Sequence, residues 1–239
     1  DLVRSRGLGD VYKRQGGVDS STAACLLIEE GYDVIGITMH IVPFNQPGSG
    51  RCCAPHDVAD ARQVAARMNF PFYLLDFRAE FKKWIIDDFI QEYKNGRTPN
   101  PCVRCNEFLK FGLLFKKATE LEAESVATGH YARLEYDESR KRYILLKGKD
   151  EKREQTYFLY SLKQDQLKRI KFPVGGYTKD EVRELARDFG LWVSEKKGSQ
   201  ELCFVDEKGY VNFLKNYIPQ AFFPGAIVDL NSKVIGYHR

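Results

Sequence analysis

Gly16-Gly17-Val18-Asp19-Ser20-Ser21 runs directly into Thr22-Ala23-Ala24-Cys25-Leu26-Leu27-Ile28. Two glycines, a small apolar residue, an acid and two hydroxyls thus stand at the head of an apolar helical run. Ser20 or Ser21 reads as the N-cap and Gly31 as the stop. A glycine turn that opens a helix binds anions, because free backbone N–H groups converge there and the helix dipole adds positive charge. Alone, a Gly-Gly is no more than a turn before a helix. No Gly-Lys-Ser/Thr follows, so the stretch is not a Walker loop.

The 239 residues are 43% hydrophobic and 29% charged. That composition suits a globular chain with one large core, or one core and a smaller domain. No apolar run approaches the roughly 20 residues of a membrane span, and no signal-peptide h-region is visible. We therefore expect no membrane association and a cytoplasmic location. The net charge of +4 is compatible with a nucleic-acid partner without requiring one. Six cysteines in a chain of this length do not form a disulfide scaffold; a reducing compartment and working thiols fit better.

Around the opening loop the chain alternates strands and helices. Asp33 to His40 is a short β-branched run that reads as a buried strand. A Pro/Gly/Asn-rich loop spans Val42 to Arg51. His56 to Met68 has helical spacing, Phe72 to Leu75 is a strand, and Phe81 to Tyr93 is a helix whose aromatics belong to the core. Arg97 to Asn106 carries two prolines and reads as a loop. A helix from Glu107 to about Glu122 and a strand from Ser125 to Thr128 follow, with Gly129-His130-Tyr131-Ala132-Arg133 just past it. Tyr131–Leu134 and Tyr143–Leu146 read as a hairpin. Thr178 and Glu181 form a capping box for a helix that stops at Gly190. Ser199 to Val205 reads as an extended apolar segment, and the chain from Pro224 as turns and short strands. The expected fold is α/β: a doubly wound parallel sheet over residues 16–205, with the start of a smaller domain over 206–239.

Residues 1–15 do not fit that plan. A buried strand should precede the glycine loop, yet Gly7 to Gln15 is basic and broken by glycines. We read 1–15 as a non-native leader.

Three cysteines stand apart. Cys102 and Cys105 form a C-x-x-C, and Cys203 lies far downstream. No second C-x-x-C or His pair supports structural zinc, and His40, His56, His130 and His238 are singletons without ligand spacing. Two readings stay open: thiolates for covalent sulfur chemistry, or three ligands to an iron–sulfur cluster. Cys25 reads as core, and Cys52-Cys53 as structural or incidental.

The opening loop resembles the Ser-Gly-Gly-x-Asp-Ser-Ser pyrophosphate loop of the ATP pyrophosphatases (PP-loop enzymes), with Gln15 where that pattern has Ser. Together with Asn100-Pro101-x-x-x-Cys105-Asn106, Thr128-Gly129-His130-Tyr131-Ala132 and Ser199-Gln200-x-x-Cys203-Phe204, it resembles the tRNA-specific 2-thiouridylases (the MnmA/TrmU family). The resemblance implies ATP-dependent 2-thiolation of the wobble uridine of tRNA, by adenylation of the C2 oxygen and sulfur transfer. It implies that Gly16, Gly17, Val18, Asp19, Ser20, Ser21, Met39 and Gly129 bind ATP, with Mg2+. Cys105 and Cys203 are the implied catalytic pair, and Cys203 would carry the persulfide. The resemblance further implies that Asn100, Pro101 and Cys102 meet the target base. His130, Arg153, Glu154 and Gln155 would contact tRNA. The implied partners are tRNA and a persulfide donor, a cysteine desulfurase or sulfur relay protein.

Cys102 stands where many members have Asp. With Cys105 and Cys203 it supplies three ligands for a [4Fe-4S] cluster with one open iron, the reading we carry forward beside the persulfide. Arg97, Arg104, Lys110, Arg133 and Arg153 are the candidates for phosphate contacts. Two other functions fit part of the pattern. One is another PP-loop enzyme, an amidotransferase synthetase or ligase, which needs no cysteine trio. The other is a catalytically dead fragment that still binds tRNA.

Overall fold

The computed structural model describes residues 2–4, 17–41, 55–195, 202–205 and 209–238. Gln15, Gly16, Cys52, Cys53 and Ser199 to Glu201 lie outside them, as does the whole 42–51 loop.

Five strands form the main sheet: β1 (Leu2–Arg4), β2 (Asp33–His40), β3 (Phe72–Asp76), β4 (Ser125–Ala127) and β7 (Ile170–Lys171), in the order β3-β2-β1-β4-β7. β2 pairs with β3 in parallel, and β4 with β7. This is the strand order of a doubly wound sheet, whose ligand crevice opens where the order reverses. The fold class expected from the sequence is therefore found, with one departure. β1 lies in the central slot but runs antiparallel to both neighbours. The backbone edges of β2 and β4 must be paired, and Leu2-Val3-Arg4 pairs them in reverse. The residues just before the glycine loop offer no apolar run that could do so in parallel.

Alternation along the strands sends side chains to two faces. Ile37 and Met39 of β2 and Val126 of β4 join one buried cluster. It also holds Phe81 of α3 (Arg78–Phe81), Phe89 of α4 (Asp87–Lys94), Leu114 of α6 (Leu114–Glu120) and Leu214 of α9 (Gly209–Tyr217). Val34 and Ala127 point the other way, into a cluster built by α1 (Val18–Glu29), α2 (Pro55–Arg67) and α8 (Lys179–Asp188). Cys25 lies fully buried in that second cluster, as its position in an apolar run suggested. β5 (Ala132–Asp137) and β6 (Arg142–Lys147) make the expected hairpin, each longer than its sequence pattern.

Three local readings are corrected. First, α1 starts at Val18, with Gly17 as its extended N-cap. Ser20 and Ser21 sit inside the first turn instead of capping it, and the Ser20 hydroxyl donates to the Gly17 carbonyl at 3.1 Å. Second, Cys102 and Cys105 are on a helix, not a loop. α5 (Pro101–Arg104) has Asn100 as its cap, whose side chain accepts from the Val103 N–H at 3.2 Å, and it continues into wide π-type turns from Cys105 to Leu113. Pro101 occupies the first helical position, where its missing N–H costs nothing and its fixed φ is already helical. Third, Leu202 to Val205 is a turn closed by a Val205-to-Leu202 hydrogen bond of 3.2 Å, not an extended segment. The turn lets Phe204 reach the rings of Phe81, Phe89 and Phe213.

The capping box at Thr178 is as read: Glu181 N–H donates to the Thr178 hydroxyl at 3.3 Å, and Thr178 N–H to the Glu181 carboxylate at 2.7 Å. Gly31 and Gly190 both have positive φ, at +84° and +62°, and end their helices as expected.

Candidate active site

The glycine loop leads into the first turn of α1, and two distant segments converge on Asp19. The Tyr131 hydroxyl donates to Asp19 Oδ1 at 2.7 Å. Lys179, at the start of α8, places its ammonium 2.5 Å from the same oxygen. Gly129, just past β4, lies so close to the loop that a Cβ would stand 2.9 Å from the Asp19 carbonyl carbon and the Ser20 nitrogen. Glycine is required there because backbone meets backbone. Thr22 adds a link from α1 to α8 by donating to the Val182 carbonyl at 3.4 Å.

Burial shapes this charge. Desolvation lowers the Lys179 pKa, and the Asp19 carboxylate opposes that shift. Tyr131 is 1% exposed. Burial, then the Asp19 charge, pushes its phenol far above the usual range, so it stays a donor. Gln155 locks Tyr131 from behind. Its side-chain oxygen accepts from Tyr131 N–H at 3.1 Å, and its own N–H donates to the Tyr131 carbonyl at 3.2 Å.

On the other side of the sheet, Cys105 and Cys203 are each 1% exposed and belong to one buried cluster. The fold thus brings residues 98 positions apart onto the same face of the sheet. Cys102 is half-buried and lies outside that cluster. Among the described residues no group of three His, Cys, Asp or Glu is placed to hold a metal ion. As they stand the three cysteines are not gathered into one metal-binding group, and an iron–sulfur cluster would require their thiolates to converge.

The segment between the two regions serves both. Tyr131 reaches Asp19. His130 faces Thr128 Oγ1 at 2.6 Å through Nδ1, and Lys110 Nζ at 3.3 Å through Nε2. A lysine ammonium only donates, so Nε2 accepts and the ring proton sits on Nδ1. Lys110 follows Cys105 on the same π-type turns.

The remaining sequence candidates fall as follows. Val18, Ser20 and Ser21 are buried in the first turn of α1, and Gly17 is its cap. The Met39 side chain is fully buried. Asn100 is spent on capping and Pro101 is buried. His130 is 3% exposed and Lys110 5%. Polar groups this deep are held by partners, here each other and Thr128. Glu154 accepts from Thr156 N–H at 2.6 Å and from the Thr156 hydroxyl. Arg97 pairs with Glu92 and Arg104 with Asp88. Lys179 and Tyr131 were missed. For Lys179 the signal was its place directly after the capping residue of α8. For Tyr131 it was the polar hydroxyl beside Gly129.

Residues 12–207 match the family model described as the tRNA methyl transferase HUP domain. The chain belongs to this family. It is 49% identical over 234 residues to the tRNA-specific 2-thiouridylase MnmA of Geotalea uraniireducens, covering 95% of this chain and 62% of that protein. It is 48% identical over 227 residues to the protein of the same name from Clostridium acetobutylicum, covering 94% and 63%. The chain thus spans a little under two thirds of the length of these relatives, and the resemblance read from the four motifs is borne out. Among solved structures, NMN synthetase from Francisella tularensis aligns over 94% of this chain and 80% of that one, at 15% identity and a TM-score of 0.46. No helix among the described residues is long and apolar enough to cross a membrane.

Proposed function

We propose that this chain carries the catalytic domain of an ATP-dependent tRNA-uridine 2-sulfurtransferase acting in the cytoplasm. The observation that carries the reading is the Thr128–Tyr131 segment. It touches the phosphate loop through Gly129 and Tyr131, and the cysteine-bearing helix through His130. The names of the relatives supply the substrate class, tRNA.

The uridine C2 oxygen attacks the α-phosphorus of ATP and displaces pyrophosphate, which leaves AMP as the leaving group at C2. Backbone N–H groups at the start of α1 receive the phosphates. Mg2+, when bound, offsets phosphate charge. Asp19, whose Oδ1 accepts from Tyr131 and Lys179, would hold that ion through its carboxylate. The terminal sulfur of a Cys203 persulfide then bonds to C2. The Cys105 thiolate attacks Cys203 Sγ and the persulfide bond breaks. AMP departs, leaving C2=S and a Cys105–Cys203 disulfide that an external thiol reduces. A persulfide donor, a cysteine desulfurase or relay protein, reloads Cys203. The buried cysteines support this order of events: a persulfide shielded from solvent is protected from premature loss.

The test is tRNA-dependent pyrophosphate release together with 2-thiouridine in digested tRNA. Asp19→Ala should abolish both, and Cys203→Ala only the second. Thiolation that survives Cys203→Ala would remove the persulfide relay. Pyrophosphate release that requires an amino-group donor instead of tRNA would assign the chain to another PP-loop reaction.

A further inference from the structure

The loop Gly17-Val18-Asp19-Ser20-Ser21-Thr22 carries one charged side chain, and it is negative. A triphosphate brings several more negative charges to the same place. Walker loops meet this problem with a lysine inside the loop. Here the lysine comes from 160 positions away: Lys179, 8% exposed, is held 2.5 Å from Asp19 Oδ1.

A buried ion pair of this kind is a poor stabilising device. Desolvation of both groups offsets most of their attraction, and apolar residues of the same volume serve a core as well. Burial is the main influence that lowers the Lys179 pKa, and the charges of Arg183 and Arg153 add to it. Arg183 Nε is buried with no hydrogen-bond partner among the described residues. On the acidic side stand Asp19 and Asp150, and Asp150 accepts from the Lys179 backbone N–H at 2.9 Å. Asp180 lies 3.8 Å from Arg183; Lys179 itself, held at the head of α1, is the cation placed to meet an incoming anion.

We propose that Lys179 binds the β- and γ-phosphates of ATP and the pyrophosphate formed from them, and that Asp19 holds its ammonium in position before the nucleotide arrives. The inference rests on the nucleotide reading above. Tyr131 completes the device by fixing the Asp19 carboxylate from the other side.

Calorimetric titration of the full chain with Mg–ATP, inorganic pyrophosphate and AMP separates this role from a purely structural pair between α1 and α8. For Lys179→Met, affinity for ATP and pyrophosphate should fall about 10- to 100-fold, while AMP, which lacks the β- and γ-phosphates, changes by less than about twofold. Equal losses for all three ligands, or undiminished pyrophosphate affinity, would overturn the proposal. Should Lys179→Met fail to melt cooperatively, Lys179→Gln decides instead: it keeps a donor toward Asp19 and lacks the charge, so the same selective loss is expected. A folded parent that binds none of the three ligands would sink the nucleotide reading itself and this inference with it.

Discussion

The two faces of the sheet solve opposite problems. On the phosphate side, Asp19, Lys179 and Tyr131 form a closed polar network, and Gly129 lets the loop touch the end of β4. On the thiol side, Cys105 and Cys203 lie in an apolar cluster with Phe81, Phe89 and Phe204. The first region is wired before any ligand arrives. The second is dry and closed. On the proposed reading, the difference means that a nucleotide would meet groups already in place, whereas sulfur transfer would have to expose two buried thiols.

The largest effects break the comparison outright. Cys105→Ala or Cys203→Ala should remove 2-thiouridine formation and leave pyrophosphate release within about twofold of the parent, since truncating one buried side chain on the far face leaves Asp19 untouched. A parallel loss of pyrophosphate release in either variant would show that the thiols are needed for adenylation as well as for sulfur transfer. Gly129→Ala comes next. Its Cβ would stand 2.9 Å from main-chain atoms of Asp19 and Ser20, so α1 must shift. A destabilisation of about 1–3 kcal/mol is expected, with a larger loss in ATP affinity than in thiol reactivity. Unchanged ATP affinity would mean that the approach of β4 to α1 is not needed for the site.

Smaller effects sharpen the comparison. Thr178→Ala removes the cap of α8 and should cost about 1 kcal/mol in denaturant melts, with a modest weakening of ATP binding because the same helix start carries Lys179. No change in ATP affinity would separate the helix start from the site. Cys25 gives the smallest effect. Burial, above all, raises its thiol from 9.0 to about 12, so the folded state keeps a proton that the unfolded chain releases. That contribution is intact below pH 9.0 and is lost as pH rises toward about 12. Urea melts of the parent at about pH 8 and about pH 10.5 should show the loss, and Cys25→Ala should show less of it. Equal pH dependence in the two proteins would mean that the thiol is not the group responsible.

Much of this arrangement could be read from the sequence, for identifiable reasons. β2 runs over the residues its β-branched pattern marks, and α8 begins and ends where the capping box and Gly190 say. Such signals are local, so they survive without tertiary context. The helical placement of Cys102 and Cys105 was lost because two prolines outweighed Asn100, whose cap turns Pro101 into a helix starter. The reversed β1 has no local signal, since its direction is set by which backbone edges are left to pair. α9 was passed over, although Phe213, Leu214 and Tyr217 are spaced for one helical face behind Gly209. Lys179 and Tyr131 have local signals, but those do not name Asp19 as the partner, which lies 160 and 112 positions away.

That long span has a consequence for biosynthesis. Asp19 leaves the ribosome 160 residues ahead of Lys179. At about 5–20 residues per second, the nascent phosphate loop waits roughly 8 to 32 seconds for its counter-charge. Through that interval it presents an uncompensated carboxylate, and a growing chain cannot assemble the lysine-bearing half of the pocket around cellular nucleotide. Because α8 follows β7, the last strand of the main sheet, the proposed phosphate site would be completed only after every strand of that sheet has been made.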